Sequence, residues 1–131
     1  MTLKFDHIHL KAKDPDKTAA WYVEAFGFKI AERVVRPAGD TFVRCTTSDG
    51  TVIVISGEKT GETLPQGNSR NTFGLEHFAI ATDDFDSDLA RLQKLGAKQL
   101  APETKLPSGI RFTFIEAPDD VRIELMWFPK K

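Results

Sequence analysis

The sequence predicts an α+β protein built from two copies of one βαβββ unit. Similar segments recur at a shift of 70 positions, as in Asp6-His7-Ile8 and Glu76-His77-Phe78. Each of these segments has the features of a strand and is followed by a helix with its own start and stop signals. The same order of signals runs through both halves of the 131-residue chain, which is typical of an internal duplication.

The repeat extends well beyond the two histidine segments. The further matching pairs are Asp14 with Asp84, Asp16 with Asp86, Asp49-Gly50 with Asp119-Asp120 and, one residue out of step, Phe26-Gly27 with Leu95-Gly96. We therefore predict a single domain over residues 1–131, with repeat one at 3–57, a linker at 58–74 and repeat two at 75–129.

In the first copy, residues 5–11 alternate between two faces, which predicts a strand. Asp14-Pro15 is a helix start signal, because aspartate can cap the first turn and proline is tolerated at the first helical position. An apolar stripe follows, and Gly27 can adopt the left-handed conformation that ends a helix. Three further strands are predicted at about Lys29–Val35, Phe42–Thr46 and Val52–Ser56.

The second copy repeats these elements with weaker signals. Its first strand contains Phe78 and Ile80, and its helix ends at Gly96. The three strands that follow are predicted near Gln99–Ala101, Phe112–Glu116 and Val121–Phe128. The linker is polar and rich in glycine, and a connection of this length is typical of a functional lid or arm, or else of a disordered segment.

Composition excludes several classes of protein. Eighteen basic and nineteen acidic residues give a formal charge of −1, so no basic face for nucleic acid is expected. The lone Cys45 cannot form an internal disulfide and is interpreted as a small buried hydrophobic residue rather than a nucleophile. Charges and histidines near the start replace the apolar block of a signal peptide, and no stretch is long enough to span a membrane, so we expect a cytoplasmic protein.

Three side chains suggest a metal site. His7 and His77 occupy equivalent places in the two copies, and Glu124 lies within the otherwise apolar stretch 123–128, where an unpartnered carboxylate would be costly. Two imidazoles and one carboxylate can bind one divalent ion of Mn, Fe, Ni, Co or Zn and leave coordination positions open for substrate. If the copies pack about a pseudo-twofold axis, we expect the two histidines to face each other.

Three motifs in order resemble the vicinal oxygen chelate superfamily of glyoxalases, bleomycin resistance proteins and extradiol dioxygenases. They are DHIHLKAKDPDKTAAWYVEAFGFKI, GLEHFAIATDD and FTFIEAPDDVRIELMWF, and together they cover nearly the whole chain. The resemblance implies a mixed, curved sheet that forms a metal-binding cup, with His7, His77 and Glu124 as ligands. It also implies a small-molecule substrate and a homodimer, in which the site forms within one chain or across two. The alternative is a metal-free relative that uses the same fold as a binding cup.

The chain departs from the glyoxalase I pattern at one position. Those proteins carry a fourth ligand, a glutamate, where this sequence has Val54, which cannot bind a metal or move a proton. The remaining set of two histidines and one glutamate resembles the ligands of extradiol dioxygenases and fosfomycin resistance proteins. The usual glycine of the final turn is Asp120 here, and aspartate tolerates the left-handed conformation fairly well.

The functional hypothesis is a glyoxalase-like lyase or isomerase that acts on a substrate chelated through two adjacent oxygens. His9 lies two residues after His7 and so on the same face of the strand, where it can act as a general acid/base or donate a hydrogen bond to an oxyanion. The alternative is that His9 only lines the pocket as a polar wall residue. Its repeat mate is Ala79, which shows that the fold does not require a histidine at this position. Two alternatives are an Fe(II) extradiol-type dioxygenase and a non-catalytic or thiol-transferring antibiotic resistance protein.

Three arginines on predicted strands are weaker candidates for contact with a substrate carboxylate or phosphate. Arg122 is the best of them because it shares a strand face with Glu124, and Arg44 and Arg111 are the others. A structural role, as solvated strand residues or ion-pair partners, is the alternative for all three.

Overall fold

The computed structural model describes residues 2–130 and divides at residue 65 into two compact units. The first contains β1 (His7–Lys11), α1 (Pro15–Phe26), β2 (Lys29–Val35), β3 (Thr41–Thr46) and β4 (Val52–Ser56). The second contains β5 (Phe78–Ala81), α2 (Phe85–Lys94), β6 (Lys98–Gln99), β7 (Thr104–Lys105), β8 (Arg111–Ala117), a 3-10 turn (Pro118–Asp120) and β9 (Val121–Trp127). The predicted α+β class is confirmed. The division lies inside the predicted linker, and the single domain over the whole chain stays a prediction.

Each unit has one mixed sheet with a helix following its first strand. The strand order is β1-β4-β3-β2 in the first unit and β5-β9-β8-β6 in the second, where β7 also pairs with β8. The first strand of each unit runs parallel to the last, and the other pairs are antiparallel. This pairing places the strand that begins at His7, and the strand that follows His77, beside the closing strand of their own unit.

The strand register confirms the predicted repeat. Ile8 pairs with Ile53 in the first unit, and Phe78 pairs with Ile123 in the second, so both partners move by the same 70 positions. The glycines that follow the helices, Gly27 and Gly96, shift by only 69, because α2 is shorter than α1. Lys29 and Lys98 accordingly begin equivalent strands. The two units are therefore copies of one structure. Where equivalent residues differ, the fold itself does not require either residue type.

The predicted helix signals are present in both copies. The carboxylate of Asp14 accepts a hydrogen bond from the Lys17 amide, and that of Asp84 accepts one from Ser87. Gly27 ends α1 with a φ of 70°, in the left-handed region that disfavours residues with a side chain. In the final turn, Asp120 takes a φ of 59°, as expected for an aspartate in place of glycine.

The second unit differs from prediction in one strand. Where one strand was expected near Gln99–Ala101, two short strands pair with β8 in succession. The carbonyl of Ala101 accepts hydrogen bonds from the side chains of Gln99 and Thr113, at 3.0 and 2.7 Å. Pro102 follows and has no amide hydrogen to continue the ladder. Side-chain hydrogen bonds therefore replace the backbone hydrogen bonds that the sheet lacks at this point.

The core of each unit lies between its helix and one face of its sheet. In the first unit it contains Tyr22, Val43, Cys45, Ile53 and Ile55, all nearly inaccessible to solvent. Burial raises the pKa of the Cys45 thiol, which agrees with the predicted role as a small hydrophobic residue. Among residues 2–130, no helix is long and apolar enough to cross a membrane. The sheet face opposite the helix carries the residues on which the functional hypothesis depends.

An ion pair between Arg36 and the buried Asp40 is expected to make the first unit sensitive to acid. The side chain of Asp40 is 1% exposed and accepts two hydrogen bonds from the Arg36 guanidinium, which hold the pKa of this carboxyl below its usual value. A carboxyl with a lowered folded-state pKa stabilises the fold fully above its unfolded pKa of about 4, and this stabilisation is lost as the pH falls through the folded value.

We expect Asp40→Asn to lower the thermal unfolding midpoint by several degrees at neutral pH, and the gap to the parent to close toward pH 2.5. Unfolding followed by circular dichroism across this range tests the prediction, with the exposed Asp83→Asn as control; a gap that is constant with pH would contradict it.

Candidate active site

In the second unit, the side chains of His77 and Glu124 lie together. His77 immediately precedes β5, and Glu124 stands on β9 opposite Ala79. The Nε2 atom of His77 is 3.1 Å from Oε1 of Glu124. The two side chains are 28% and 13% exposed, so the pair is partly shielded but open to a small ligand. Two of the three predicted metal ligands therefore lie side by side, and their binding of a metal stays a prediction.

A second layer of residues holds the other side of His77. Its Nδ1 atom forms a hydrogen bond with the carboxylate of Glu76. The same carboxylate lies 3.6 Å from Nε of Arg122, whose Nη1 donates to the Ser69 carbonyl at 3.1 Å. The Arg122 guanidinium also lies 4.0 Å above the ring of Phe114, and this ring meets the imidazole of His77 edge to face at 5.0 Å. The imidazole is thus held by a carboxylate at one nitrogen and by an aromatic ring at its side.

The hydrogen bonds of His77 leave two acceptors facing each other. Because Nδ1 contacts the Glu76 carboxylate, the hydrogen of a neutral imidazole belongs on Nδ1, and Nε2 then carries a lone pair. That lone pair points toward the carboxylate of Glu124, which is also an acceptor. Two acceptors 3.1 Å apart require a proton or a cation between them. An imidazole nitrogen and a carboxylate oxygen are donors that fit a divalent transition metal.

In the first unit, His7 has the same relation to the residue before it. Its Nδ1 atom is 2.6 Å from the Asp6 carboxylate, and this hydrogen bond holds the pKa of Asp6 below its usual value. The side chain of His7 is 38% exposed, so Nε2 is accessible. Metal-binding histidines commonly donate a hydrogen bond from their second ring nitrogen to a carboxylate. This bond orients the ring and makes the histidine a stronger ligand. Both predicted histidine ligands show this pattern.

His9 follows on the same face of β1, with its ring centre 6.2 Å from that of His7. Its Nε2 atom is 2.7 Å from the hydroxyl of Ser56, which also accepts a hydrogen bond from the Lys11 ammonium at 2.9 Å. An ammonium only donates, so the single hydroxyl hydrogen of Ser56 is available for Nε2 of His9. Burial lowers the pKa of His9, and the charges of Lys11 and Arg36 lower it further. These effects favour the neutral ring, and in that form a hydrogen bond donated by Ser56 to Nε2 leaves the ring hydrogen on Nδ1.

The three arginine candidates have different surroundings. The guanidinium of Arg111 lies between the carboxylates of Glu103 and Asp86, at 2.6 and 2.7 Å, and above the ring of Phe85. These contacts favour the structural alternative for Arg111. Arg44 pairs with Val54 across the strands, and its charge helps to lower the pKa of Asp6. Arg122 lies next to the His77 pair, and contact with substrate stays a prediction for it and for Arg44.

Several residues of the site were not singled out by sequence reasoning. They are Asp6, Lys11, Ser56 and Glu76. Among residues 2–130, neither unit by itself gathers three His, Cys, Asp or Glu side chains that could hold a metal ion. The pairing of His77 with Glu124 lies in one unit and His7 in the other, so the three-ligand set stays a prediction.

Comparison with known proteins places this chain in a family. Residues 4–125 match the Glyoxalase/Bleomycin resistance protein/Dioxygenase superfamily. The chain belongs to this superfamily. Among curated proteins it is similar to the uncharacterized protein YwbC of Bacillus subtilis, with 27% identity over 128 residues, covering 95% of this chain and 97% of that protein. The resemblance inferred from the three sequence motifs is confirmed.

Solved structures of the superfamily share the fold. A glyoxalase family protein from Bacillus cereus matches with a TM-score of 0.86 and 20% identity, over 97% of this chain and 95% of that one. The fosfomycin resistance protein FosX from Listeria monocytogenes, crystallised with Mn(II) and sulfate, matches with a TM-score of 0.71 and 20% identity, over 98% and 95% of the two chains. At these identities the likeness concerns the fold, which is that of the vicinal oxygen chelate proteins.

Proposed function

We propose that this chain is a divalent-metal-dependent enzyme of the lyase or isomerase type, acting on a small molecule through two adjacent oxygen atoms. The observation that carries the proposal is the facing pair of acceptors, Nε2 of His77 and the carboxylate of Glu124. A partly buried carboxylate beside an imidazole lone pair is unfavourable unless a positive charge lies between them. A bound metal supplies that charge.

The proposed ligands are His7, His77 and Glu124, with His7 supplied by the same chain or by the partner of a homodimer. Asp6 and Glu76 orient the two imidazoles through Nδ1, so that Nε2 of each is available to the metal. The donor set suits Fe, Mn, Ni, Co or Zn, and the Mn(II) in FosX is consistent with this range. When bound, such an ion lowers the pKa of a C–H or O–H group next to the chelated oxygens.

His9 is the proposed proton-transfer residue. With Nε2 engaged by Ser56, its Nδ1–H is the group that can face a substrate beside His7. In this state His9 donates: its Nδ1–H can hydrogen-bond to an oxygen on which negative charge develops. It can release that proton as Nε2 takes up the hydroxyl proton of Ser56, which the Lys11 ammonium in turn replaces. Lys11 and Ser56 fix the orientation of the ring and thus keep the donor in place.

A second candidate function, an Fe(II) dioxygenase, is favoured by Val54. This residue stands opposite His9 in the strand register and is 1% exposed, so it offers no ligand where glyoxalase I proteins carry a glutamate. A coordination position left open in this way can admit dioxygen. The two functions share the same three ligands and differ in the reaction that they support.

Metal analysis and two assays test the proposal together. Protein purified without chelator is expected to contain about one divalent ion per site, as in other three-ligand metal enzymes. Lyase or isomerase activity predicts that small hydroxycarbonyl compounds exchange their α-hydrogen with deuterated solvent in the presence of the loaded enzyme, as measured by NMR. Oxygen uptake with catechols under Fe²⁺, without hydrogen exchange, would favour the dioxygenase. Absence of bound metal at saturating Mn²⁺, Ni²⁺, Fe²⁺ and Zn²⁺ would reject both functions and favour a metal-free binding protein.

A further inference from the structure

A cluster of three polar side chains lies at one end of the first sheet, on the face that carries His7. The Ser56 hydroxyl is fully buried and contacts both Nε2 of His9 and the Lys11 ammonium, at 2.7 and 2.9 Å. The ammonium also donates to the Gly57 carbonyl at 3.1 Å. We call Lys11, Ser56 and His9 the lysine cluster. Its two strands, β1 and β4, pair Lys11 directly with Ser56.

The second copy of the fold does without this cluster. The residues equivalent to His9, Lys11 and Ser56 at the shift of 70 are Ala79, Ala81 and Met126. Ala81 and Met126 pair in the same register as their counterparts, so the backbone is equivalent in both copies. The sheet therefore forms with small and apolar residues at these places. Three polar residues in mutual contact are a feature of the first copy that strand pairing does not demand.

The charge of Lys11 is held in place but not neutralised by a direct partner. Its ammonium donates to two neutral oxygens, and within residues 2–130 no carboxylate lies at ion-pair distance from it. Asp40 is near enough for Lys11 to lower its pKa, but this carboxylate is already paired with Arg36. An ammonium has three donors, of which two are used here. An oriented cation with a donor to spare attracts an anion.

We propose that the lysine cluster is a subsite for an oxyanion, a carboxylate or a phosphate-type group carried by the substrate. Lys11 supplies the charge, Ser56 orients its ammonium, and His9 lines the subsite on the side toward His7. Because β1 carries Lys11 four residues after His7 on the same face, a substrate anchored at Lys11 extends along the strand toward the predicted metal ligand. The identification of the bound anion as part of a substrate rests on the proposed function. Binding of the anion itself requires no metal.

The test therefore uses full-length protein freed of metal. The ¹⁵N-labelled protein is titrated with inorganic phosphate and, separately, with acetate, and the amide signals of Lys11, Ser56 and Gly57 are followed by NMR at constant ionic strength. We expect saturable shifts with at least one of the two anions. Lys11→Met should weaken binding by about tenfold or more, the usual effect of losing a hydrogen bond to a charged group.

Two further variants separate the subsite from general electrostatics and from loss of fold. Lys17→Met removes an exposed lysine of α1 and should leave the affinity unchanged, although the net charge falls by the same amount. Ser56→Ala keeps the charge, releases the ammonium from one of its two partners and should weaken binding severalfold in a folded protein. A preference for phosphate or for acetate identifies the class of oxyanion.

Equal affinity in Lys11→Met and the parent would overturn the proposal, as would shifts that chloride reproduces. The same samples are then titrated with Mn²⁺. Oxyanion binding without metal binding rejects the proposed enzyme and leaves the subsite standing, whereas metal binding without a Lys11-dependent anion rejects the subsite alone.

Discussion

Replacing Glu124 by glutamine is expected to weaken the binding of a divalent metal by more than about 100-fold, since even residues behind the ligands contribute 10–100-fold. Glutamine has the size of glutamate but no charge. Its amide can also donate to Nε2 of His77, so the two side chains would satisfy each other without a cation. Isothermal titration with Mn²⁺ measures the effect directly.

The metal-free form distinguishes loss of a ligand from loss of the fold. Because the variant removes a partly buried carboxylate, we expect apo Glu124→Gln to unfold at the same temperature as the apo parent or higher. Glu32→Gln, which changes an exposed strand carboxylate of the first unit, serves as the control and should bind Mn²⁺ like the parent. Undiminished affinity in Glu124→Gln would remove this residue from the ligand set.

The repeat made most of the fold predictable from one sequence. The capping aspartates, Asp14 and Asp84, and the glycines that end the helices are local signals, because each acts on backbone groups a few residues away. The shift of 70 then transferred the clear strand pattern of the first copy to the weaker second copy. Both sheets show the same pairing of first with last strand, and the one-residue step after the helices is present.

The part that failed depends on contacts between distant residues. The interruption between β6 and β7 is stabilised by the Thr113 hydroxyl, which reaches the Ala101 carbonyl from a neighbouring strand. Pro102 marks the break in the sequence, but the partner that compensates for it becomes visible only when β8 is in register.

The candidate site was predictable to the extent that its residues contrast with their neighbours. Glu124 stands out because the other residues of the stretch 123–128 are apolar, and His7 and His77 because they are repeated. Ser56 and Lys11 have no such contrast, since each is an ordinary polar residue at the end of a strand. Comparison with their repeat mates, Met126 and Ala81, is the signal that would have found them.

Replacing Glu76 by alanine is expected to weaken metal binding by about 10–100-fold, the usual effect of removing the carboxylate behind a histidine ligand. The imidazole of His77 would lose the acceptor that keeps its hydrogen on Nδ1 and would be free to turn or to change tautomer. Glu76→Gln should recover much of the affinity, because its amide oxygen can still accept from Nδ1. Titration with Mn²⁺ is again the measurement.

Rescue by glutamine is the outcome that a merely structural role does not produce. Glu76 also lies beside Arg122, so the alanine variant is checked for its unfolding midpoint, and Arg122 retains its bond to the Ser69 carbonyl in either variant. If His7 is a ligand of the same ion, Asp6→Ala and Asp6→Asn should repeat the pattern of loss and recovery, since Asp6 contacts His7 as Glu76 contacts His77. A response to Glu76 without a response to Asp6 would mean that the metal depends on the second unit alone, and His7 would then leave the ligand set.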